Sequence, residues 1–206
     1  MTKAEAQAAL NVSRETLERL EAYVDLLLKW SRAINLVGAT DLDHLWTRHI
    51  LDSAQIVPQA PSDATSWLDV GSGAGLPALV CRIILQGQGI DIPMSLVEAD
   101  QRKSAFLRET NRQLGTDVKI HSIRLERLPA LPCDIITARA VAPLPRLLQL
   151  CAPFVHDDTV CLFLKGQNVE EEIGSANLDW QFRVDRISSV TDPAASLLRI
   201  TNIRRL

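Results

Sequence analysis

The residues of this chain whose types and spacing could do chemistry begin in the stretch WLDVGSGAGLPALV, from Trp67 to Val80. A strand-like run carrying Asp69 is followed by Gly71, Gly73 and Gly75, and then by a helix-like apolar run. Glycines clustered at a strand-to-helix turn let bare backbone approach a ligand closely. The spacing narrows the ligand. A dinucleotide pyrophosphate needs G-x-G-x-x-G, but here the last glycine comes one residue early and Leu76 fills the sixth position. A P-loop needs a lysine near the turn, and none is present. A nucleophile elbow needs G-x-S-x-G, and Val70 stands two residues before Ser72. A smaller adenosine cofactor without phosphate fits. Such a site needs a carboxylate at the end of the next strand to accept hydrogen bonds from ribose hydroxyls. Glu98 in LVEAD occupies that place, with Asp100 as the alternative. Either could instead cap the next helix.

Those residues require a particular scaffold. Ser13 is a good N-cap, and Leu17, Leu20, Val24, Leu27, Leu28 and Ile34 recur at helical spacing, giving one long amphipathic helix. DLDHLWTRHILDSAQIV reads as a second, interrupted helix, and PQAPSDATS as a connector. From Ser66 onward strands alternate with helices: SWLDV, MSLVEAD, DVKIHSI, CDIITARA and TVCLFLKG are strands, and Gly115 is the expected C-cap of RKSAFLRETNRQL. QFRVDRISSV and SLLRITNIR form a terminal antiparallel hairpin. Alternation of this kind predicts a parallel sheet covered on both faces, with the ligand beyond the carboxyl ends of its strands. We expect one structural domain, with a helical extension over residues 1–60 packed on a core over 61–206.

Composition sets outer bounds. The 206 residues are 47% hydrophobic and 23% charged, with a net charge of −3, as in an ordinary soluble globular chain. A nucleic-acid partner would therefore need a local basic patch. Cys81, Cys133, Cys151 and Cys161 show no CxxC spacing and read as reduced core thiols. His44, His49, His121 and His156 show no ligand spacing, so no metal is expected. The opening residues lack the long apolar core of a signal peptide, and no apolar run approaches the ~20 residues that span a membrane. A cytoplasmic, monomeric protein is the expectation.

Aspartate followed by G-x-G-x-G resembles the first motif of S-adenosylmethionine-dependent methyltransferases. Further pieces, in the order INLVGATD, RHILDS, DVGSGAGLP, VEADQRKSAFL, ITARAVAPL and FLKG, resemble the bacterial small-subunit rRNA methyltransferase G family, also called glucose-inhibited division protein B. The resemblance runs from about Ile34 to Gly166. It implies an α/β, Rossmann-like class I methyltransferase fold, a seven-stranded mostly parallel sheet with an N-terminal helical extension. It implies S-adenosylmethionine as cofactor and N7-methylation of a guanine of 16S rRNA, position 527 in standard rRNA numbering. The resemblance assigns Gly71 and Leu76 to the cofactor loop, alongside Gly73, Gly75 and the ribose acceptor Glu98 read from the motif itself, and it assigns Leu125 and Glu126 to the adenine and Arg139 to the cofactor and target base. One departure is Ala78, where the family usually has glycine; one methyl there should be tolerated.

Guanine N7 carries an in-plane lone pair and no hydrogen, so the reaction needs alignment and exclusion of water and no protein base. ARAVAPL after the fourth strand differs from the N/D-P-P-Y type used for exocyclic amines, and Cys133 is poorly placed as a nucleophile. Arg139 and Lys165 are the candidates for positioning base or phosphate, Arg139 in a functional and not a folding role; Lys165 could equally be a surface lysine. Arg48 and His49 could contact RNA, cover the cofactor, or dock the N-terminal helices through Asp52. Arg102, Lys103, Arg108 and Arg112, with Arg124 and Arg127, could bind RNA or form a solvated face. With a net charge of −3, 16S rRNA in the small subunit or an assembly intermediate is a better expected partner than naked RNA. The residues alone leave open a methyltransferase acting on a small molecule or protein, and a non-catalytic cofactor-binding assembly factor.

Overall fold

A computed structural model describes residues 1–38 and 44–206. The GATD end of INLVGATD and the expected start of the second helix fall partly outside the described residues. The chain opens with α1 (Lys3–Ala9), which the sequence reading did not anticipate; Thr2 and Glu5 form a reciprocal capping box at its start. In α2 (Arg14–Ser31) Ser13 is the N-cap, its hydroxyl accepting from the Thr16 amide at 3.2 Å, and Leu20, Tyr23, Val24 and Leu27 face inward. The second helix is interrupted as expected, in an unexpected way. Leu45–Leu51 is wound as a π-helix that runs into a single α-turn, α3 (Asp52–Ala54). π-helical turns are rare and cluster at functional sites.

The sheet follows: β1 (Trp67–Val70), α4 (Ala78–Gly87), β2 (Met94–Val97), α5 (Gln101–Leu114), β3 (Lys119–His121), β4 (Ile135–Arg139), α6 (Leu144–Cys151), β5 (Val160–Lys165), α7 (Val169–Ala176), β6 (Trp180–Ser188) and β7 (Ser196–Arg205). Gly115 ends α5 in the left-handed conformation at φ 58°, the cap read from the sequence. The strand order is β3-β2-β1-β4-β5-β7-β6. β1 pairs in parallel with both β2 and β4, so the connections diverge at its carboxyl end, where such sheets bind ligands. β7 is antiparallel to both β5 and β6.

One apolar layer lies between the sheet and the N-terminal helices with α4 and α5, including Tyr23, Ile50, Ile83 and Phe106. The other lies beneath α6 and α7 and holds Leu147, Cys151, Cys161 and Phe163. The first layer runs without a break from residues before position 60 to residues after it. All four cysteines are buried thiols. No described helix is long and apolar enough to cross a membrane.

Candidate active site

The glycine loop leaves β1 with Gly71 at φ 65° and Gly75 at φ 85°. Neither position would accept a side chain. A Cβ on Gly71 would lie 2.8 Å from Val141 Cγ2, and one on Gly75 would lie 2.3 Å from Leu79 Cδ1. Glu98, just beyond β2, spans the opening. Its Oε2 accepts from the Gly73 amide at 2.8 Å and its Oε1 from the Asp100 amide at 2.8 Å. Each carboxylate oxygen retains a second lone pair for a further donor. Asp100, the alternative ribose acceptor, is instead the N-cap of α5, accepting from the amides of Arg102 and Lys103.

Beneath this loop lies a residue whose role the sequence left unspecified. Asp69 is 1% exposed, and its Oδ1 accepts from Thr137 Oγ1 at 2.6 Å across the β1–β4 pairing. Trp67 Nε1 donates to the same hydroxyl at 2.9 Å. Asp69 Oδ2 is buried with no hydrogen-bond partner among the described residues. Burial pushes the carboxyl up to about 7, opposed by the Thr137 hydrogen bond and by the nearby Ser72 hydroxyl, which itself donates to the Asp69 main-chain carbonyl, and aided by the negative charge of Glu98. A buried, half-satisfied carboxylate is costly unless a cation or donor completes it. From the helical extension, the fully buried Tyr23 donates its hydroxyl proton to the Ala74 carbonyl at 2.6 Å, so α2 braces the loop directly.

The neighbouring half of the same edge is built differently. A cleft of about 460 Å³ opens at the carboxyl ends of β4 and β5, lined by Asp52, Arg139, Val141, Lys165, Glu172 and Ser196 among others. Arg139 donates to the Arg48 carbonyl at 2.7 Å and pairs with Asp52 Oδ2 at 3.3 Å. The π-winding carries that carbonyl, and Asp52 follows it directly. Asp52 Oδ1 in turn accepts from Gln55, Ser189 and Thr191. Asp52 therefore joins the N-terminal helices to the core, one of the readings the sequence left open, with Arg139, Ser189 and Thr191 as its partners there. This changes the reading of Arg139. A structural arginine needs a carboxylate partner, and Arg139 has one, so a purely functional role is no longer the expectation.

Lys165 is not a surface lysine. Its side chain is 9% exposed, and Nζ donates to the Ala142 carbonyl at 2.6 Å and to Glu172 Oε2 at 2.7 Å. Glu172 also accepts from the Leu144 amide at the start of α6. Neither Glu172 nor Tyr23 was singled out from sequence. Glu172 sits in an acidic run, VEEEIG, in which no spacing distinguishes it.

Leu76 and Leu125 are buried, and Leu125 and Glu126 open a 3-10 turn, Leu125–Arg127, after β3. Glu126 is half exposed and pairs with Arg146 of α6 at 3.4 Å. Arg48 is exposed while His49 is 7% exposed. The basic residues of α5 do not form one patch. Arg102 and Lys103 stand in its first turn, at the ligand edge of the sheet. Arg112 lies ten residues on, about 15 Å along the axis, and binds Glu109 with two hydrogen bonds. That pairing, with Gln113, holds the Glu109 carboxyl down at about 2. Arg108, between the two ends, donates to Ser122 at 2.6 Å. Among the described residues no group of three or more His, Cys, Asp or Glu is arranged to hold a metal ion.

A seven-stranded sheet with one strand reversed near its edge, a glycine loop at the switch point and a carboxylate across it define a class I S-adenosylmethionine-dependent methyltransferase. Solved structures agree on the fold. An O-methyltransferase from Bacillus cereus in complex with S-adenosylhomocysteine superposes with a TM-score of 0.58 at 12% identity, covering 87% of this chain and 90% of that one. A ribosomal protein L11 methylase from Lactobacillus delbrueckii subsp. bulgaricus gives 0.58 at 14% identity, covering 75% and 78%. Sequence comparison is more specific. The family model for rRNA small subunit methyltransferase G matches residues 16–197. A ribosomal RNA small subunit methyltransferase G from Rhodospirillum rubrum is 48% identical over 206 residues, all of both chains. One from Cereibacter sphaeroides is 46% identical over 192 residues, 93% of this chain and 92% of its own. The chain belongs to the rRNA small subunit methyltransferase G family, as its motifs suggested.

Proposed function

We propose that this chain holds S-adenosylmethionine against the Gly71–Leu76 loop and directs methyl transfer to N7 of a guanine in 16S rRNA, the position 527 target that the family resemblance implies. The observation that carries the cofactor assignment is Asp69 Oδ2, a buried acceptor without a partner among the described residues, beneath a loop that excludes side chains. A cofactor bearing an ammonium group and no phosphate suits that donor-poor, anionic floor. When bound, S-adenosylmethionine supplies an electrophilic methyl group on a sulfonium.

The chain's own residues orient and exclude water. Glu98 offers its remaining lone pairs to the ribose hydroxyls, and Leu125 and Glu126 flank the adenine. Arg139 and Lys165 stand on the walls of the adjoining cleft, where they position the base. No side chain has to take a proton, because N7 carries none. Arg48, Arg102, Lys103 and Arg108 on the ligand side of the molecule are the RNA-contact candidates; Arg112, already engaged by Glu109, contributes least. A small-subunit particle or assembly intermediate in the cytoplasm, met by a monomer of this chain, is the substrate form this modest charge supports.

Mapping 7-methylguanosine in 16S rRNA from cells with and without the gene tests the reading. We expect loss of one 7-methylguanosine, restored when purified protein and methyl-labelled cofactor are added to small subunits from the deficient cells. Label entering protein or small molecules, with rRNA unlabelled, would overturn it.

A further inference from the structure

The cleft beside the cofactor loop holds a donor and an acceptor that the fold has left half used. Lys165 Nζ has three protons and two protein acceptors, Ala142 O and Glu172 Oε2. Glu172 Oε2 is fully engaged, receiving both Lys165 and the Leu144 amide. Its other oxygen, Oε1, has no protein partner among the described residues, and the side chain, 24% exposed, lines the cleft. Side by side, the cleft therefore presents one N–H donor on Nζ and one carboxylate acceptor, Oε1, on two side chains held together by the 2.7 Å Nζ–Oε2 ion pair.

A guanine offers the complement. Its O6 accepts, and the adjoining N1–H and N2–H₂ donate. Adenine offers the reverse at the same two places, a donor at N6 and an acceptor at N1. We propose that Glu172 and Lys165 form the guanine-reading pair of this enzyme: Lys165 Nζ donates to O6 while Glu172 Oε1 accepts from N1–H and N2–H₂. This rests on guanine being the target base. The arrangement leaves N7, on the other side of O6, free to face the cofactor. It also requires a guanine whose Watson–Crick edge is unpaired when it enters the cleft, as in other enzymes that act on extruded bases.

Glu172→Gln makes the sharpest test. Both Leu144 N–H and Lys165 Nζ are donors, so they hold the amide oxygen and turn the NH₂ group toward the cleft. An acceptor becomes a donor at the point where guanine also donates. The substrates are small-subunit particles reconstituted on 16S transcripts with guanosine or inosine at the target, inosine lacking only the N2 amine. For the wild type we expect kcat/KM to fall about 5- to 100-fold on inosine, the range of a good bidentate contact. For Glu172→Gln we expect a loss of at least that size on guanosine, and a guanosine-to-inosine ratio near one. That ratio is independent of the folded fraction, so lowered stability in the variant cannot imitate the result. An equal guanosine-to-inosine ratio in wild type and variant would show that Glu172 acts only through the fold, and the proposal would fall. If the wild-type protein leaves N7 of the guanosine particle unmethylated, the target reading itself fails, and the proposal with it.

Discussion

The two halves of the ligand edge, over β1–β2 and over β4–β5, do related work with unlike materials. Over β1 the chain uses backbone: three alternate glycines, one amide bound to Glu98 and one buried carboxyl. Over β4 and β5 it uses long side chains in pairs, Arg139 with Asp52 and Lys165 with Glu172. The first half is made almost entirely from residues 69–76 and 98. The second gathers Asp52, Arg139, Lys165, Glu172 and the Ser189–Ser196 region from across the chain. A site shaped by backbone is rigid and indifferent to the identity of what lies beyond it. A site walled by ion pairs can distinguish partners, because each charge is held in place by another.

The comparison can be broken most severely at Gly75. Alanine there must adopt φ 85° and meet Leu79 at 2.3 Å. We expect about 2–5 kcal/mol of lost stability from the strained dihedral and the overpacking together, with calorimetric cofactor affinity abolished. A variant that melts and binds normally would show the loop to be less constrained than its geometry says. Arg139→Ala probes the other half. It leaves Asp52, 10% exposed at its side chain, without its guanidinium, which should cost about 2–4 kcal/mol because stranding one member of a largely buried pair is worse than removing both. Asp52→Ala combined with Arg139→Ala should recover part of that loss, and melting of the two variants checks it. Methyl transfer per folded molecule should be low in both.

Smaller effects sharpen the contrast. Glu98→Ala removes an acceptor from the cofactor and a tie from the loop, worth about 1–3 kcal/mol in cofactor affinity by calorimetry. Asp69 makes the backbone half sensitive to pH. Its carboxyl is raised from 3.8 in the unfolded chain to about 7 in the fold. Between those values the folded state holds the proton and the unfolded state does not, so this group's stabilising contribution is complete below about pH 4 and is lost as pH rises through about 7. Denaturation of the cofactor-free protein across that window should show the slope, and Asp69→Asn should flatten it. A cationic cofactor group at Oδ2 would favour the ionised carboxyl, so cofactor affinity should rise with pH over the same range. The smallest effect is an expected absence. Single-turnover methyl transfer at saturating cofactor should be nearly flat from mildly acidic to mildly basic pH, and a base-type titration lost on replacing one side chain would contradict a base-free reaction.

The same contrast explains what could be read in advance. Glycine spacing, the strand-end position of Glu98, the N-cap at Ser13 and the C-cap at Gly115 are local relations, and local relations survive in one dimension. The alternation of strands and helices fixed the sheet and its ligand edge for the same reason. The Asp52–Arg139 pair spans 87 positions, and nothing in TRHILDS or TARAVA announces the other. Glu172 is one of three consecutive glutamates, and only its approach to Lys165 separates it from its neighbours. The π-winding of Leu45–Leu51 is not legible in the sequence either, since its apolar pairs Leu45/Trp46 and Ile50/Leu51 are too few to separate a five-residue repeat from a broken α-helix.

The place of β7 has a consequence for how the protein is made. It lies between β5 and β6 in the sheet but follows both in the chain. During synthesis β5 and β6 emerge before the strand that must separate them. β5 then presents an open edge with Leu162 and Leu164 beside it, a surface on which another nascent chain could pair. The five parallel strands, the glycine loop and most of the cleft wall can assemble early, but Ala195 and Ser196 arrive only with β7. A ribosome producing this enzyme thus completes the glycine-loop half of the ligand edge before it supplies the last two residues of the β4–β5 cleft.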